Sequence, residues 1–263
     1  MSSKIILAGG VGPMAGVVLH QSIIEHTDNQ GCDHGHVDVL HVSAASKIND
    51  RTKFLLGEVL ENPGVQMANL LNPILQAFPE DKLVIGVPCN TFHAQPIFDA
   101  FTNQLEKTEN IKVLHMIQST IDYILKELRS ATKVGLMSTT GTRNLKVYSN
   151  ILAANNLETI EVTIENQPEL HDTIYNPDFG IKAHSNPVTQ KARENFEKYT
   201  NELISKGAEV IILGCTEIPL VLTESVYKGV QLLDPMQVLA KQLIKHLDII
   251  YDKKQLVNQK WGV

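Results

Sequence analysis

The chain of 263 residues reads as an α/β protein built from two similar halves that face each other. Three observations predict this. Apolar runs too short for helices alternate with amphipathic stretches along the sequence, which is the pattern of repeated βα units. Two of these runs end in Gly or Pro and lead directly into a cysteine: Val84-Ile85-Gly86-Val87-Pro88-Cys89-Asn90-Thr91 and Val210-Ile211-Ile212-Leu213-Gly214-Cys215-Thr216-Glu217. Two further segments also occur in pairs. A strand and glycine turn opens the chain at Lys4-Ile5-Ile6-Leu7-Ala8-Gly9-Gly10-Val11-Gly12 and returns at Lys133-Val134-Gly135-Leu136-Met137-Ser138-Thr139-Thr140-Gly141-Thr142. A strand leading into a helix follows each cysteine, at Ile111-Lys112-Val113-Leu114-His115-Met116-Ile117-Gln118 and at Val230-Gln231-Leu232-Leu233-Asp234-Pro235-Met236-Gln237. The pairs Gly12 and Gly141, Cys89 and Cys215, and Gln118 and Gln237 lie 129, 126 and 119 residues apart, as a duplication with altered loops would leave them.

The elements follow in order. An apolar strand at 4–8 ends in the glycine turn, and Pro13 stands at the first turn of a helix over 14–28. A strand at 37–42 and a helix at 64–77 precede the strand at 83–87, which Pro88 closes before a helix at 92–106. The strand at 111–115 hands over to an amphipathic helix at 117–129. In the second half a strand at 134–138 leads into a helix at 143–155, and a strand is read at 159–164. The stretch 167–187 carries Pro, Asn, Asp and Gly among scattered apolar residues, so it is a short helix and a loop before the long helix at 188–206. Strands at 209–213 and 230–233 follow, and Pro235 opens a last helix over 235–251. No low-complexity linker divides the halves.

Composition bounds the partners. The apolar fraction of 43% and charged fraction of 20% are those of an ordinary globular domain. A net charge of −6 without any Lys/Arg run argues against nucleic acid or an anionic membrane as the main partner. The N-terminus enters a strand after one lysine, with no apolar core of a signal peptide, and no run approaches membrane-spanning length, so a cytoplasmic protein is expected. Three cysteines without short-spaced pairs suit working thiols in a reducing compartment rather than a disulfide scaffold.

Cys89 and Cys215 should sit at the carboxyl ends of strands, where α/β folds bind ligands. A helix N-terminus presents unpaired amides and partial positive charge, and a thiol placed there loses its proton more readily. The sequence is therefore expected to prepare two thiolates, a matched pair of acid/base groups.

These motifs and their surroundings resemble the aspartate/glutamate racemase family, and most of all its aspartate racemase branch, over nearly the whole chain. Gly9-Gly10-Val11-Gly12-Pro13 is similar to the family's opening turn, Asn49-Asp50-Arg51-Thr52 to its arginine loop, Cys89-Asn90-Thr91 to its first catalytic motif and Gly214-Cys215-Thr216-Glu217 to its second. The resemblance implies two pseudosymmetric α/β domains, each a mostly parallel sheet flanked by helices, with one cysteine from each on an interdomain cleft. It implies a homodimer and no pyridoxal phosphate. It also implies a boundary in which 1–116 plus 236–263 form the first domain and 117–235 the second, the last helix packing back on the first.

The chemistry explains the residue types. Inverting a free amino acid means removing the α-proton from one face and delivering a proton to the other, so two groups must hold opposite protonation states. Cys89 and Cys215 are the catalytic candidates, and as a coupled pair they titrate as a unit. Without an electron sink the carbanion needs help, which the backbone amides after each cysteine, the Thr91 and Thr216 hydroxyls and Asn90 would supply at the α-carboxylate. Val11 and Gly12 border the same site. A second substrate carboxylate needs its own cations. Arg51 resembles the family's side-chain carboxylate ligand, and its planar fork suits bidentate binding. Lys182 resembles the family's second cation, although Ala183-His184 stands where a glycine is expected soon after it.

Other residues are assigned less specific parts. Cys32, Asp33, His34 and His36 form a cluster whose spacing fits no closed zinc pattern, and no metal is expected. His93 can tune Cys89 or be satisfied by backbone, and His115 ends a strand near the cleft. Glu217 reads as a helix cap and is left out of the catalytic set, as are His171 and Thr142. Gly10, Gly12 and Ala15 fit a loose dinucleotide fingerprint, but the second strand ends in Ser43-Ala44-Ala45 where a ribose-binding acid would stand, and Pro13 removes an amide. The glycines then serve a tight turn near the substrate. The expected activity is cofactor-independent racemisation of aspartate. Glutamate or a broader amino acid set, and a non-catalytic acidic amino acid binding protein, remain the alternatives.

Overall fold

A computed structural model describes residues 2–106 and 108–247. The first run of elements is β1 (Ser3–Gly9), α1 (Pro13–His26), β2 (Asp38–Ser43), α2 (Arg51–Leu55), α3 (Pro63–Gln76), β3 (Lys82–Gly86), α4 (Gln95–Gln104), β4 (Ile111–Leu114) and α5 (Met116–Glu127). The second is β5 (Lys133–Ser138), α6 (Thr140–Asn144), α7 (Ser149–Ala154), β6 (Glu158–Glu161), α8 (Gln167–Tyr175), α9 (Gln190–Ser205), β7 (Val210–Gly214), β8 (Val226–Tyr227), β9 (Val230–Leu233) and α10 (Pro235–His246).

The strands form two sheets, in the orders β2-β1-β3-β4 and β6-β5-β7-β9-β8. Every pairing is parallel except the short β8 against β9. With β1 matched to β5, β2 to β6, β3 to β7 and β4 to β9, the second sheet repeats the order of the first and adds one edge strand. Each cysteine thus follows the third strand of its own repeat.

The side-chain period of two explains the layering. Ile5, Leu7 and Val84 on one face of the first sheet join Val134, Leu136, Val210 and Ile212 of the second in a single apolar cluster. Residues of α1, α5 and α10 fill it, among them Leu19, Ile121 and Leu239. The opposite faces have their own covers. Ile6, Ala8, Leu83 and Ile85 pack with α3 and α4, while Met137, Ile211 and Leu213 pack with α8 and α9. Strands buried on both faces must be apolar at nearly every position, which is why they read as unbroken runs rather than alternations.

Several details depart from the sequence reading. The helix expected at 143–155 is two helices, α6 and α7, because Lys146 between them adopts a left-handed backbone (φ 52°). An unexpected helix, α2, forms at the arginine loop, where the Asp50 side chain accepts the Lys53 amide at 2.9 Å. The helix expected at 92–106 begins at Gln95, after a single 3-10 turn over Thr91–His93. Between Cys215 and β8 no α-helix forms: one 3-10 turn over Ile218–Leu220 leads to β8 and β9, and α10 begins only at Pro235. The expected extension of the last helix to 251 and the segment 248–263 assigned to the first domain lie outside the described residues. Among the described residues no helix is long and apolar enough to cross a membrane.

Because one apolar layer serves both sheets, the halves should unfold together. Leu239 in that layer is fully buried, and Leu239→Ala should cost about 2–5 kcal/mol. Denaturant unfolding followed by circular dichroism should show a lowered midpoint and still a single transition. Two separate transitions would mean that the layer does not couple the sheets.

Candidate active site

The loops that follow β1, β3, β5 and β7 meet in one cleft. Val11, Arg51, Cys89, Asn90 and Thr91 line it from the first half of the chain, and Lys182, Cys215 and Thr216 line it from the second. Gly12 borders it: a Cβ at this position would stand 2.9 Å from Glu217 Oε1 and 3.7 Å from Lys182 Nζ, so only glycine lets that pair approach. Gly10 has φ +85° and no room for a side chain against the Ala44 and Ala45 amides, which ties the opening turn to the loop after β2. All nine residues expected at the site therefore lie in or beside one cleft. Its free volume is about 20 Å³, room for little more than one water. A wider cavity of about 460 Å³ opens behind Thr216, between β9 and α10, and neither cysteine lines it.

The wall around Cys89 is neutral except for Arg51. Cys89 is 7% exposed. The Tyr148 hydroxyl donates to Asn90 Oδ1, and Asn90 Nδ2 is buried with no protein acceptor. The Thr91 and Thr142 hydroxyls meet at 3.1 Å across the two halves, and Thr139 donates to Thr142 at 3.2 Å. His93 lies behind the cysteine with its Nδ1 2.8 Å from the Cys89 carbonyl oxygen. Burial, and then the neighbouring His115, hold its pKa down to about 3, so it is a neutral ring that positions backbone rather than a cation beside the thiol. His115 is not a cleft residue; its Nδ1 accepts the Gln118 amide and caps α5. Arg51 donates from Nη2 to the Val11 carbonyl at 3.0 Å and from Nη1 to Asn49 at 3.3 Å, while its Nε is buried without a partner. Burial opposes its charge, but Cys89, Asp50 and Tyr175 around it outweigh that and hold its pKa up.

The wall around Cys215 is charged. Cys215 Sγ donates to Glu217 Oε2 at 3.0 Å, the Thr216 hydroxyl donates to the same oxygen at 3.0 Å, and Lys182 Nζ reaches Oε1 at 2.5 Å. Burial pushes the Glu217 carboxyl up, but Lys182 and the other donors prevail and hold it down, so it is ionised. Burial likewise opposes the Lys182 charge, and Glu217 overcomes it. Lys182 also stands 5.4 Å from the centre of the Tyr175 ring, which stacks on His171 at 4.8 Å. Burial is the main reason the Tyr175 phenol is raised to about 12.

Two expectations are corrected here. Glu217 caps no helix: its carboxylate is taken by Cys215, Thr216 and Lys182, which also explains why no longer helix starts there. Cys215 is not a prepared thiolate either. Burial, and next the Glu217 carboxylate, push its thiol well up, and no helix dipole opposes them. Cys32 is exposed, His36 pairs with Asn29, and no group of three metal-ligating side chains forms among the described residues. Glu217, Tyr175 and Thr139 line the cleft, Tyr148 and Thr142 lie behind it on Asn90 and Thr91, and the sequence assigned none of the five to the site. The duplicated turn gave a signal for two of them, because Thr139 and Thr142 follow β5 as Gly10 and Pro13 follow β1.

The sequence profile described as Asp/Glu/Hydantoin racemase matches residues 9–243. The aspartate racemase of Picrophilus torridus superposes with a TM-score of 0.73 at 25% identity, over 94% of each chain. An aspartate racemase homologue from Pyrococcus horikoshii OT3 gives 0.63 at 23% identity, over 94% of this chain and 99% of that one. The glutamate racemase of Francisella tularensis, solved with D-glutamate, shares the fold at 0.57 and 17% identity, over 99% of this chain and 84% of that one. A profile match over most of the length, on a fold that those structures share, makes this chain a member of the Asp/Glu/Hydantoin racemase family.

Proposed function

We propose that the protein is a racemase that interconverts L- and D-aspartate, without pyridoxal phosphate, using Cys89 and Cys215 as its two acid/base groups. The observation that carries this reading is one cleft that holds a cysteine from each of two repeated units, together with two cations and an unpartnered buried amide. Asn90 Nδ2 and the Thr91 hydroxyl suit the α-carboxylate, where negative charge grows as the α-proton leaves, and the Thr216 hydroxyl joins them when it turns from Glu217. Arg51 suits the side-chain carboxylate, with Val11 and Gly12 shaping that end. Lys182 spends one of its three donors on Glu217 and keeps others for substrate. The likeness to the Picrophilus torridus aspartate racemase favours the shorter diacid over glutamate. In this reading 1–116 with 236–263 and 117–235 are the two lobes that flank the substrate.

Reduced protein free of added cofactor, incubated with L-aspartate in heavy water, should yield D-aspartate carrying α-deuterium, followed by chiral chromatography with mass detection. Cys89→Ser and Cys215→Ser should each abolish inversion. Full-rate inversion by either variant would exclude two-base catalysis. Inert aspartate with active glutamate would move the assignment to the longer acid, and inertness toward all amino acids would leave a binding protein.

Arg51→Ala should raise KM for aspartate about 10- to 100-fold, the loss of a charge-assisted bond, with a smaller effect on kcat. Unchanged steady-state constants would remove Arg51 from the substrate site. The reading also takes the enzyme to be a cytoplasmic homodimer. Exposed Met14, Val17 and Ile24 along the outer face of α1 support a partner surface. Light scattering should give twice the chain mass of 29.2 kDa, and a monomer at micromolar concentration would count against it.

A further inference from the structure

The two cysteines occupy matching places in the repeat, yet their surroundings differ in one chemical respect. Glu217 has no charged equivalent beside Cys89, where Asn90, Thr91 and a neutral His93 follow the sulfur. Glu217 itself receives three donors on two oxygens: Lys182 on Oε1, and Thr216 and Cys215 on Oε2. An ionised carboxylate has no proton to give, so the 3.0 Å contact between Cys215 Sγ and Oε2 requires the hydrogen to sit on sulfur. A thiolate there would place two anions at hydrogen-bond distance. Across the cleft the Arg51 guanidinium faces Cys89.

We propose that Glu217 is a positioning residue that fixes the shared proton on Cys215, so that the resting enzyme starts with Cys215 as the acid and Cys89 as the base. This rests on the reading of both cysteines as proton-transfer groups. In a turnover from this state the α C–H bond breaks and its proton goes to the Cys89 sulfur. The Cys215 S–H bond breaks in turn, and its proton goes to the opposite face of the α-carbon. Nothing is oxidised or reduced, and the enzyme ends with a thiol at Cys89 and a thiolate at Cys215. Glu217 disfavours that second state, and Lys182 and the Tyr148 and Tyr175 phenols, the other titratable groups facing Cys215, must accommodate it. The enantiomer whose α-proton faces Cys89 therefore meets the enzyme ready, while its mirror image must wait for the proton to move.

Alkylation tests this without requiring turnover. The two cysteines are equally shielded, at 7% and 6% exposure, so a difference in their rates reports protonation rather than access. Protein is treated with iodoacetamide at neutral pH, and Cys32, Cys89 and Cys215 are followed separately by peptide mass spectrometry, exposed Cys32 serving as the internal standard. Wild-type protein should lose Cys89 at least about tenfold faster than Cys215, because the thiolate is the form that reacts. Glu217→Gln leaves Lys182 to face the sulfur and should shrink that ratio about tenfold while the Cys89 to Cys32 ratio holds. Cys215 reacting as fast as Cys89 in the wild type overturns the proposal, and so does an unchanged ratio in a folded variant. If the variant unfolds, all three thiols react alike and the wild-type order decides alone. A chain that labels in the expected order but inverts no amino acid would keep the proton assignment and refute the racemase reading instead.

Discussion

Both sheets bury one face in the same apolar layer, and the rest of the molecule is arranged around that contact. Ile5, Leu7 and Val84 of the first sheet and Val134, Leu136, Val210 and Ile212 of the second press on α1, α5 and α10. A close-packed interior transmits position, since a side chain of the wrong volume is felt by its neighbours. The layer therefore fixes the distance between two sheets that share no strand. It also aims the ends of β1, β3, β5 and β7 at common ground. Tyr148 shows the reach of this device: its ring fills the layer, and its hydroxyl orients Asn90 on the opposite half.

Within the cleft, burial raises the stakes of every polar contact. A charge shielded from water costs free energy unless a partner answers it, and a pair so answered interacts more strongly than it would at the surface. Lys182 and Glu217 meet that condition together, as neither would remain charged alone at such depth. Arg51 meets it by resting on the Val11 and Asn49 carbonyls. The glycine at position 12 is part of the same arrangement, because it is the gap through which the Lys182–Glu217 pair touches the opening turn.

The strands were legible because parallel strands covered on both faces leave unbroken apolar runs, and all eight expected ones are present, with the two-residue β8 added. The cysteines were legible from the Gly or Pro that ends each run. What was not legible has a common cause. Lys146 breaks a helix through a backbone torsion that no periodicity announces. Tyr148 and Tyr175 reach the cleft through tertiary packing, and an isolated tyrosine carries no mark of its destination. Glu217 was misread because a carboxylate three residues past a strand end is usually a cap, whereas here Lys182, 35 residues away, claims it first. The duplicated turn did mark the end of β5, but the register of Thr142 depended on which side chain crosses to Thr91.

Aspartate and its mirror image have the same free energy in water, so an enzyme that interconverts them works at an equilibrium constant of one. The ratio kcat/KM must then be identical in both directions, whatever the protein does to its own groups. The fold is a near-symmetric repeat, but Glu217 and Lys182 make the cleft lopsided. That imbalance cannot favour either product. It can only be divided between affinity and turnover, tighter binding of one enantiomer matched by its slower conversion. Under the proposed function, a charged pair on one wall thus sets which mirror form lingers in the cleft, and leaves the final mixture untouched.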